Sequence, residues 1–263
     1  MRCLVVADLH YSLPQFDWVV NNAARFDLVI IAGDHLDLSS LVDGRAQTVV
    51  IGKYMELLRE RTHVLLCSGN HDLDWRDEAG EKVSRWVSRC RHEHVSSDGD
   101  SLLIGDVLLS VCPWWDGPVA RERVARQLEA DAALRRGPWF WVHHAPPDHA
   151  ATSWTGTSDA GDPVLSEWIA RYSPDVVFSG HIHQSPFVKG GSWVDRIGAT
   201  WVFNVGQHSG APPAHIMFDT DHRAAFWMSS AGAQAISFDE DLVHPLPRLQ
   251  RPPDWVIAEP HSL

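Results

Sequence analysis

Five short apolar segments of this chain, each of strand length, run directly into clusters of His, Asp and Asn residues. The clusters are Asp8-Leu9-His10, Gly33-Asp34, Gly69-Asn70-His71-Asp72, His143-His144 and Gly180-His181-Ile182-His183. A buried strand has no structural reason to end in residues that ionise. Ligands of open α/β sheets bind at the carboxyl ends of the strands. We therefore expect the five clusters to converge on one edge of a sheet and to form one site.

The spacing of apolar residues between the clusters predicts an α/β protein. Strands at 3–7, 28–32 and 64–67 alternate with helices, whose apolar residues recur at intervals of three and four from Phe16 and from Val50. Such alternation implies right-handed crossovers and a largely parallel sheet. The rest of the chain is predicted to contain a hairpin at 102–111, helices at 119–136 and from Pro163, strands at 139–142 and 176–178, and five short β segments between 193 and 238.

Length and charge limit the number of domains and the kind of partner. A chain of 263 residues, 44% of them hydrophobic, is expected to form one domain at 1–245, followed by a Pro-rich surface tail at 246–263. Its formal charge of -12 disfavours nucleic acid and leaves a small molecule as the expected substrate. No signal peptide is visible at the start, and no apolar run reaches the roughly 18 residues that span a bilayer. We expect a cytoplasmic protein with no membrane partner.

The residue types in the clusters suit two divalent metal ions. Two-metal sites, with ions about 3.5–4 Å apart, combine a bridging carboxylate with imidazole and oxygen ligands, and Asp34 is the predicted bridge. The alternation of side chains along a strand would place Asp8 and His10 on one side, and His181 and His183 likewise. The excess of imidazole over carboxylate favours Mn²⁺, Fe or Zn²⁺ over Ca²⁺.

The ordered set of clusters resembles the calcineurin-like metallophosphoesterases over about residues 3–206. The resemblance implies a phosphoester hydrolase with a four-layer α/β/β/α sandwich of mixed sheets. It implies that one ion is bound by Asp8, His10, Asp34 and His183. It implies that the other ion is bound by Asp34, Asn70, His143 and His181.

The expected chemistry is an in-line attack on phosphorus by a hydroxide that bridges the two ions, because two cations lower the pKa of water and neutralise the phosphate oxygens. His71 is predicted to protonate the leaving oxygen or to stabilise its charge, and Asp72 is predicted to orient its imidazole. His144 is expected to contact the substrate or to support a metal ligand, with a packing role as the alternative.

The clusters contain no Lys or Arg, and this absence bears on the substrate. A phosphomonoester carries nearly two negative charges, which usually require such residues, whereas a diester carries one. A phosphodiester is therefore the predicted substrate. Its second alcohol is expected to rest on the long polar segment 146–162, where His149 and Trp154 are the predicted contacts. Trp114 and Trp115 could stack on a base, but a packing role is favoured for both.

Other functions remain open at this stage. A phosphomonoesterase or a protein phosphatase of the same fold would use the same residues. A nuclease would be expected to carry a basic groove, and a metallo-β-lactamase-like hydrolase would carry a His-x-His-x-Asp-His run; neither is visible. A non-catalytic metal-binding scaffold would be expected to lose ligands or His71, and all are present. The sequence leaves the oligomeric state and the native metals undetermined.

Overall fold

The computed structural model describes residues 1–257. It contains fifteen strands and six helices in that range, together with 3₁₀ turns at Ala23–Arg25, Asn70–Asp72 and Ala151–Ser153. The helices and strands are, in chain order, β1 Arg2–Val6, α1 Leu13–Asn22, β2 Leu28–Ala32, α2 Gly44–Arg59, β3 His63–Cys67, β4 Trp75–Arg76, β5 Lys82–Val83, α3 Arg85–Arg89, β6 Val95–Ser97, β7 Ser101–Ile104, β8 Val107–Val111, α4 Pro118–Leu134, β9 Trp139–Val142, α5 Pro163–Tyr172, β10 Val176–Ser179, β11 Val194–Ile197, β12 Thr200–Asn204, β13 His215–Asp219, β14 Ala224–Ser229, β15 Gly232–Ser237 and α6 Asp254–Ile257.

Two large mixed sheets form the centre of the fold. The seven-stranded sheet has the order β15-β14-β13-β1-β2-β3-β6, and the six-stranded sheet has the order β11-β12-β10-β9-β8-β7. In the first sheet β1, β2, β3 and β6 are parallel, and in the second β8, β9, β10 and β12 are parallel. The antiparallel strands lie at the margins. The parallel strands therefore direct their carboxyl ends to one edge, where the polar clusters of the sequence follow them.

Three apolar cores separate four layers. One core, which includes Val5, Ile30 and Phe178, lies between the two sheets. A second joins the outer face of the seven-stranded sheet to α1 and α2, and a third joins the outer face of the six-stranded sheet to α4 and α5. The predicted four-layer α/β/β/α sandwich with mixed sheets is confirmed.

Helices α4 and α5 begin close to where the sequence predicts, whereas α2 begins at Gly44, before the apolar pattern that starts at Val50. The carboxylate of Asp162 accepts hydrogen bonds from the backbone N–H groups of Val164 and Leu165, and Pro163 occupies the first turn of α5. A capping carboxylate satisfies N–H groups that have no partner within the helix, and proline needs none there. Helix α4 ends at Leu134, two residues before the predicted end.

The sequence prediction missed the segment between the third cluster and β7. This segment contains the two-residue hairpin strands β4 and β5, the five-residue helix α3 and strand β6. Its elements are too short to show a hydrophobic period. Tertiary contacts hold it instead: the carboxylate of Asp74 accepts from the N–H groups of Arg85 and Trp86, and the indole N–H of Trp86 donates to the carbonyl of Asp72.

The segment predicted as a Pro-rich surface tail contacts the rest of the fold. The N–H of Leu249 donates to the carbonyl of Ala233 on β15 over 2.8 Å, and Val256 of α6 is buried in the core beside α1 and α2. Residues 258–263 of the predicted tail lie outside the described residues. The domain boundary at 246 stays a prediction. None of the helices within residues 1–257 has the length and apolar character needed to cross a bilayer.

Candidate metal centre

Four of the predicted ligands come together at the carboxyl ends of β1, β2 and β10. The donor atoms of Asp8, His10, Asp34 and His183, which we call the first metal group, all lie within 4.8 Å of one another. The Nε2 atoms of His10 and His183 lie 3.1 Å apart, and Nε2 of His183 lies 3.1 Å from Oδ1 of Asp8. Two imidazole nitrogens and two carboxylates aimed at one point are the donor set of a divalent transition metal.

A second group of donor atoms shares Asp34 with the first. Asp34, His144 and His181, the second metal group, also lie within 4.8 Å of one another. Nε2 of His144 is 3.2 Å from Oδ2 of Asp34, without the alignment of a hydrogen bond. Oδ1 of Asn70, on the 3₁₀ turn after β3, is buried and has no hydrogen-bond partner. Buried polar atoms are normally paired, so these unpaired atoms fit a site for a cation.

The structure does not bring His143 into either group, although the sequence interpretation chose it over His144. The strand side chains alternate: Phe140 and Val142 face the core between the sheets, whereas Trp139 and Trp141 face α4 and α5. His143 follows the outward-facing residues, and among the described residues it belongs to no group of potential metal ligands. His144 continues the inward face.

The contacts of His143 and His144 confirm that the two side chains lie on opposite faces of the chain after β9. The His143 ring stacks on Trp115 with centroids 4.1 Å apart and an angle of 8°, and Trp115 in turn packs on Trp168 of α5. The Nδ1–H of His144 donates to the carbonyl of Ala32 at the end of β2, over 2.7 Å. This hydrogen bond directs Nε2 of His144 towards Asp34, as backbone carbonyls commonly orient metal-binding histidines.

The backbone that carries the ligands is not strand-like, which corrects the explanation offered for the Asp-x-His and His-x-His spacing. Strands β1 and β10 end at Val6 and Ser179, before the clusters. The φ angles are 54° at Asp8, 41° at His10, 53° at Asp34 and 68° at His181. Residues other than glycine seldom adopt this left-handed conformation, and it concentrates at functional sites. Tight left-handed turns, rather than strand alternation, direct these side chains to the metal groups.

The glycines of the motifs permit the close approach of neighbouring strand ends. Gly33 has φ +92°, and a Cβ atom there would lie 2.3 Å from Nδ1 of His144. A Cβ atom at Gly180 would lie 2.4 Å from Oδ2 of Asp8. Any side chain at either position would displace a member of the metal groups.

Burial and charge oppose each other in the centre. Burial alone would raise the pKa of Asp34, but the neighbouring His144 and the N–H of His71 hold it well below its usual range. Burial lowers the pKa of His144, but the carboxylates of Asp34 and Asp8 outweigh this and raise it to about 9. Burial lowers the pKa of His181 to about 4, with His144 acting in the same direction. The neutral imidazole of His181 is the form that binds a metal.

The role predicted for Asp72 is corrected. Its buried carboxylate does not hold His71: it accepts from Nδ1–H and N–H of His35, from the N–H of Leu36 and from the N–H of Gly69. His35 and Leu36 follow Asp34 in the turn after β2, and Gly69 directly precedes Asn70. Asp72 therefore ties together the two turns that carry the bridging carboxylate and the amide. His35 is buried in this network and does not face the cleft.

His71 lies at the edge of the centre, as expected of a group that meets substrate. Its side chain is 28% exposed, and its Nε2 lies 4.0 Å from Oδ2 of Asp34. Its Nδ1 accepts from the N–H of Leu38 over 3.4 Å, so Nε2 carries the proton of the neutral ring. The ring packs edge-on against His10 at 4.7 Å. A proton is therefore directed at the space beside both metal groups.

The two predicted substrate contacts of the 146–162 segment are engaged elsewhere. The His149 side chain is 82% exposed, and its nitrogens lie 3.4 Å from carboxylate oxygens of Asp148 and Asp159. The indole N–H of Trp154 donates to the carbonyl of Lys189. The segment is tied down rather than loose, since the amide of Asn204 donates to the carbonyl of Thr152 over 2.8 Å. A substrate contact by His149 or Trp154 stays a prediction.

A packing role was favoured for both tryptophans after β8, and the contacts of Trp115 with His143 and Trp168 agree with it, whereas Trp114 lies beside the second metal group. The half-buried Trp114 contacts the rings of His181, His144 and His143, with centroids 5.1, 5.8 and 6.3 Å away. Strand β8 lies beside β9, so residues directly after it must reach the same edge. The apolar run that ends just before Trp114 was the signal available in the sequence.

Comparisons with known proteins agree with this geometry. The sequence model of the family described as calcineurin-like phosphoesterase matches residues 1–185, and the chain therefore belongs to that family. This membership indicates an enzyme of the phosphoesterase class, a hydrolase of phosphoric esters. No curated protein sequence matches the chain.

Solved structures share the fold at low sequence identity. The structure of TT1561 of Thermus thermophilus is 14% identical, with a TM-score of 0.55 over 90% of this chain and 98% of that one. The purple acid phosphatase PPD1 from yellow lupin seeds is 12% identical, with a TM-score of 0.54 over 93% of this chain and 52% of that one. These similarities concern the fold alone.

Proposed function

We propose that the chain is a two-metal phosphoesterase in which Asp34 bridges the ions. The first metal group, Asp8, His10, Asp34 and His183, would hold one ion. The other would be held by Asp34, Asn70, His144 and His181, with His144 in the place that the sequence interpretation assigned to His143. The observation that carries the proposal is the carboxylate of Asp34, which belongs to both groups of convergent donors.

The chain's own residues would bind and orient the phosphoester. When bound, the two divalent ions supply an activated water for in-line attack and neutralise the phosphate oxygens. The Nε2–H of His71 would donate a hydrogen bond to the leaving oxygen and stabilise its negative charge, and the N–H of Leu38 holds the tautomer that carries this proton. Asp72 would act as a positioning residue through the two turns that it joins. Mn²⁺, Fe and Zn²⁺ remain the proposed metals because the donors are mostly imidazole.

We propose a phosphodiester as the preferred substrate. In the described part of the chain, the ion-pair contacts of Asp8 and Asp34 are all with histidines. No Lys or Arg is thus paired with these carboxylates, and sites that prefer a monoester usually add such a residue for its second charge. A phosphomonoesterase or protein phosphatase is the second candidate. The net charge of -12 makes a small-molecule substrate the proposal over nucleic acid, and a cytoplasmic location remains a prediction.

Metal removal and a substrate panel test the proposal. Chelator-treated protein is expected to lose hydrolysis of bis-p-nitrophenyl phosphate and to regain it with Mn²⁺, and elemental analysis is expected to show up to two metals per chain. Full activity without metal would contradict the mechanism. A higher kcat/KM for p-nitrophenyl phosphate than for the diester, at one pH and one metal, would favour the monoesterase. Tight metal binding with no turnover on any ester would favour a non-catalytic scaffold.

A further inference from the structure

A cavity lies beside the metal centre, on the side of Trp114. It has a volume of about 840 Å³ and is bordered by the segment after the third cluster and by α4; Trp75, Arg85, Asp98, Trp114 and Arg123 are among its lining residues. Cavities of about 300–1,000 Å³ accommodate small organic ligands. The volume therefore exceeds what a phosphate group alone would need.

Trp114 belongs to both the cavity and the metal centre. Trp114 lines the cavity, and its ring lies 5.1 Å from the ring of His181. Its backbone is fixed, because its N–H donates to the hydroxyl of Ser68, whose own N–H donates to the carboxylate of Asp98. A substrate whose phosphorus lies at the metal centre can therefore extend past the side chain of Trp114 and place another of its groups in the cavity.

The cavity carries a surface that suits a planar ring. The guanidinium of Arg85 lies 4.7 Å from the ring centre of Trp75. Within residues 1–257 Arg85 forms no ion pair, whereas Arg123 of the same cavity is paired with Asp77 at 2.8 Å. A guanidinium backed by an indole presents its free face to aromatic rings, and rings of every nucleobase or aryl type stack on such surfaces.

We propose that this cavity binds the part of the substrate that remains attached to phosphorus, and that this part carries a planar aromatic ring, which stacks between Arg85 and Trp114. The inference rests on the proposed phosphodiesterase function and specifies its substrate: a diester whose retained alcohol is an aryl or nucleoside group. In this proposal the retained alcohol group rests on the segment from Trp75 to Arg85 and not on the segment 146–162.

The test compares esters that share one leaving group. In methyl, phenyl and thymidine-5′ p-nitrophenyl phosphate, water displaces the same p-nitrophenolate, and only the retained group differs. Ring stacking predicts a kcat/KM that is about 5- to 100-fold higher for a ring-bearing ester than for the methyl ester. A preference for both ring esters identifies any aryl group as the ligand, and a preference for the thymidine ester alone identifies the nucleobase.

Variants assign the preference to the cavity. Arg85→Ala and Trp75→Ala are expected to reduce the ring-to-methyl ratio towards one while leaving the methyl ester nearly unchanged. Arg121→Ala is the matched control, because Arg121 is an exposed arginine of α4 that does not line the cavity. Equal kcat/KM values for the three esters in the wild type, or an unchanged ratio in both variants, would overturn the inference.

A binding measurement separates this inference from the function on which it rests. If no ester is hydrolysed, the proposed function fails, and calorimetric titration with thymidine 5′-monophosphate still tests the cavity. Binding that weakens at least about 5-fold in Arg85→Ala but not in Arg121→Ala supports a ring site. Binding that is absent, or equal in both variants, rejects it.

Discussion

The two halves of the metal centre differ in how far they are open to solvent. In the first metal group, the side chains of His183 and His10 are 39% and 14% exposed. In the second, His144 is fully buried, Oδ1 of Asn70 is buried, and Trp114 covers the ring of His181. Both halves are built on turns at the carboxyl ends of strands, but the histidines of the first half are more exposed than His144. A substrate is therefore expected to approach over the first half and to extend past Trp114.

This difference shows what fixes a ligand's identity in each half. In the first half the turn of each motif directs its own side chains to the site, as at Asp8, His10 and Asp34, so the motif alone identifies the metal ligand. In the second half two adjacent histidines compete, and the face of β9 decides between them. Four variants test this comparison, from the largest expected effect to the smallest.

Asp34→Asn removes the carboxylate that both metal groups share. Both ions are expected to be lost, and turnover should fall by more than about 10⁴-fold, since each ion contributes several kcal/mol of charge stabilisation. Elemental analysis and kcat/KM on one diester measure the two effects. Two tightly bound ions in this variant would show that the halves do not share Asp34.

His71→Ala acts at the edge of the first half without removing a proposed ligand. A group that protonates the leaving oxygen or stabilises its charge typically contributes about 10²–10⁴-fold, so that loss is expected for alkoxide leaving groups, with a smaller loss for p-nitrophenolate, whose charge is delocalised. Metal content should stay at the wild-type value. Equal losses for both kinds of leaving group would exclude a role of His71 at the leaving oxygen.

His144→Ala should empty the buried half alone, and His143→Ala is its matched control. We expect His144→Ala to retain about one ion per chain and to lose about 10²-fold or more in kcat/KM. His143→Ala should keep both ions and lose mainly stability, because its ring packs on Trp115. The opposite pattern of metal content would restore the original assignment of His143.

Asp72→Asn weakens the connection between the turns that support both halves. Loss of a residue that supports metal ligands typically costs about 10–100-fold in metal affinity or activity. The loss should be the same for alkoxide and p-nitrophenolate esters, because Asp72 contacts His35 and not His71. A loss that depends on the leaving group would mean that Asp72 does orient His71.

Most of the fold could be predicted because its helices and strands are long enough to show a periodic pattern or a continuous run of apolar residues. Strand β2 is fully buried, and α5 has both a capping Asp162 and a proline in its first turn. The segment from β4 to α3 could not be predicted, because strands of two residues and a helix of five have no period to detect. Its conformation depends on Asp74 and on the contact of Trp86 with the backbone of Asp72.

The amino-acid sequence by itself determined which residues can bind metal and that they meet at one edge, because strand ends, glycines and the types of donor are local properties. It also determined the family. Only the tertiary structure decided that His144 rather than His143 faces Asp34, that Asp72 joins two turns, and that Trp114 separates the metal centre from a cavity. These facts depend on which face of β9 packs against the other sheet and on which strand ends become neighbours, and such contacts arise only when distant segments pack together.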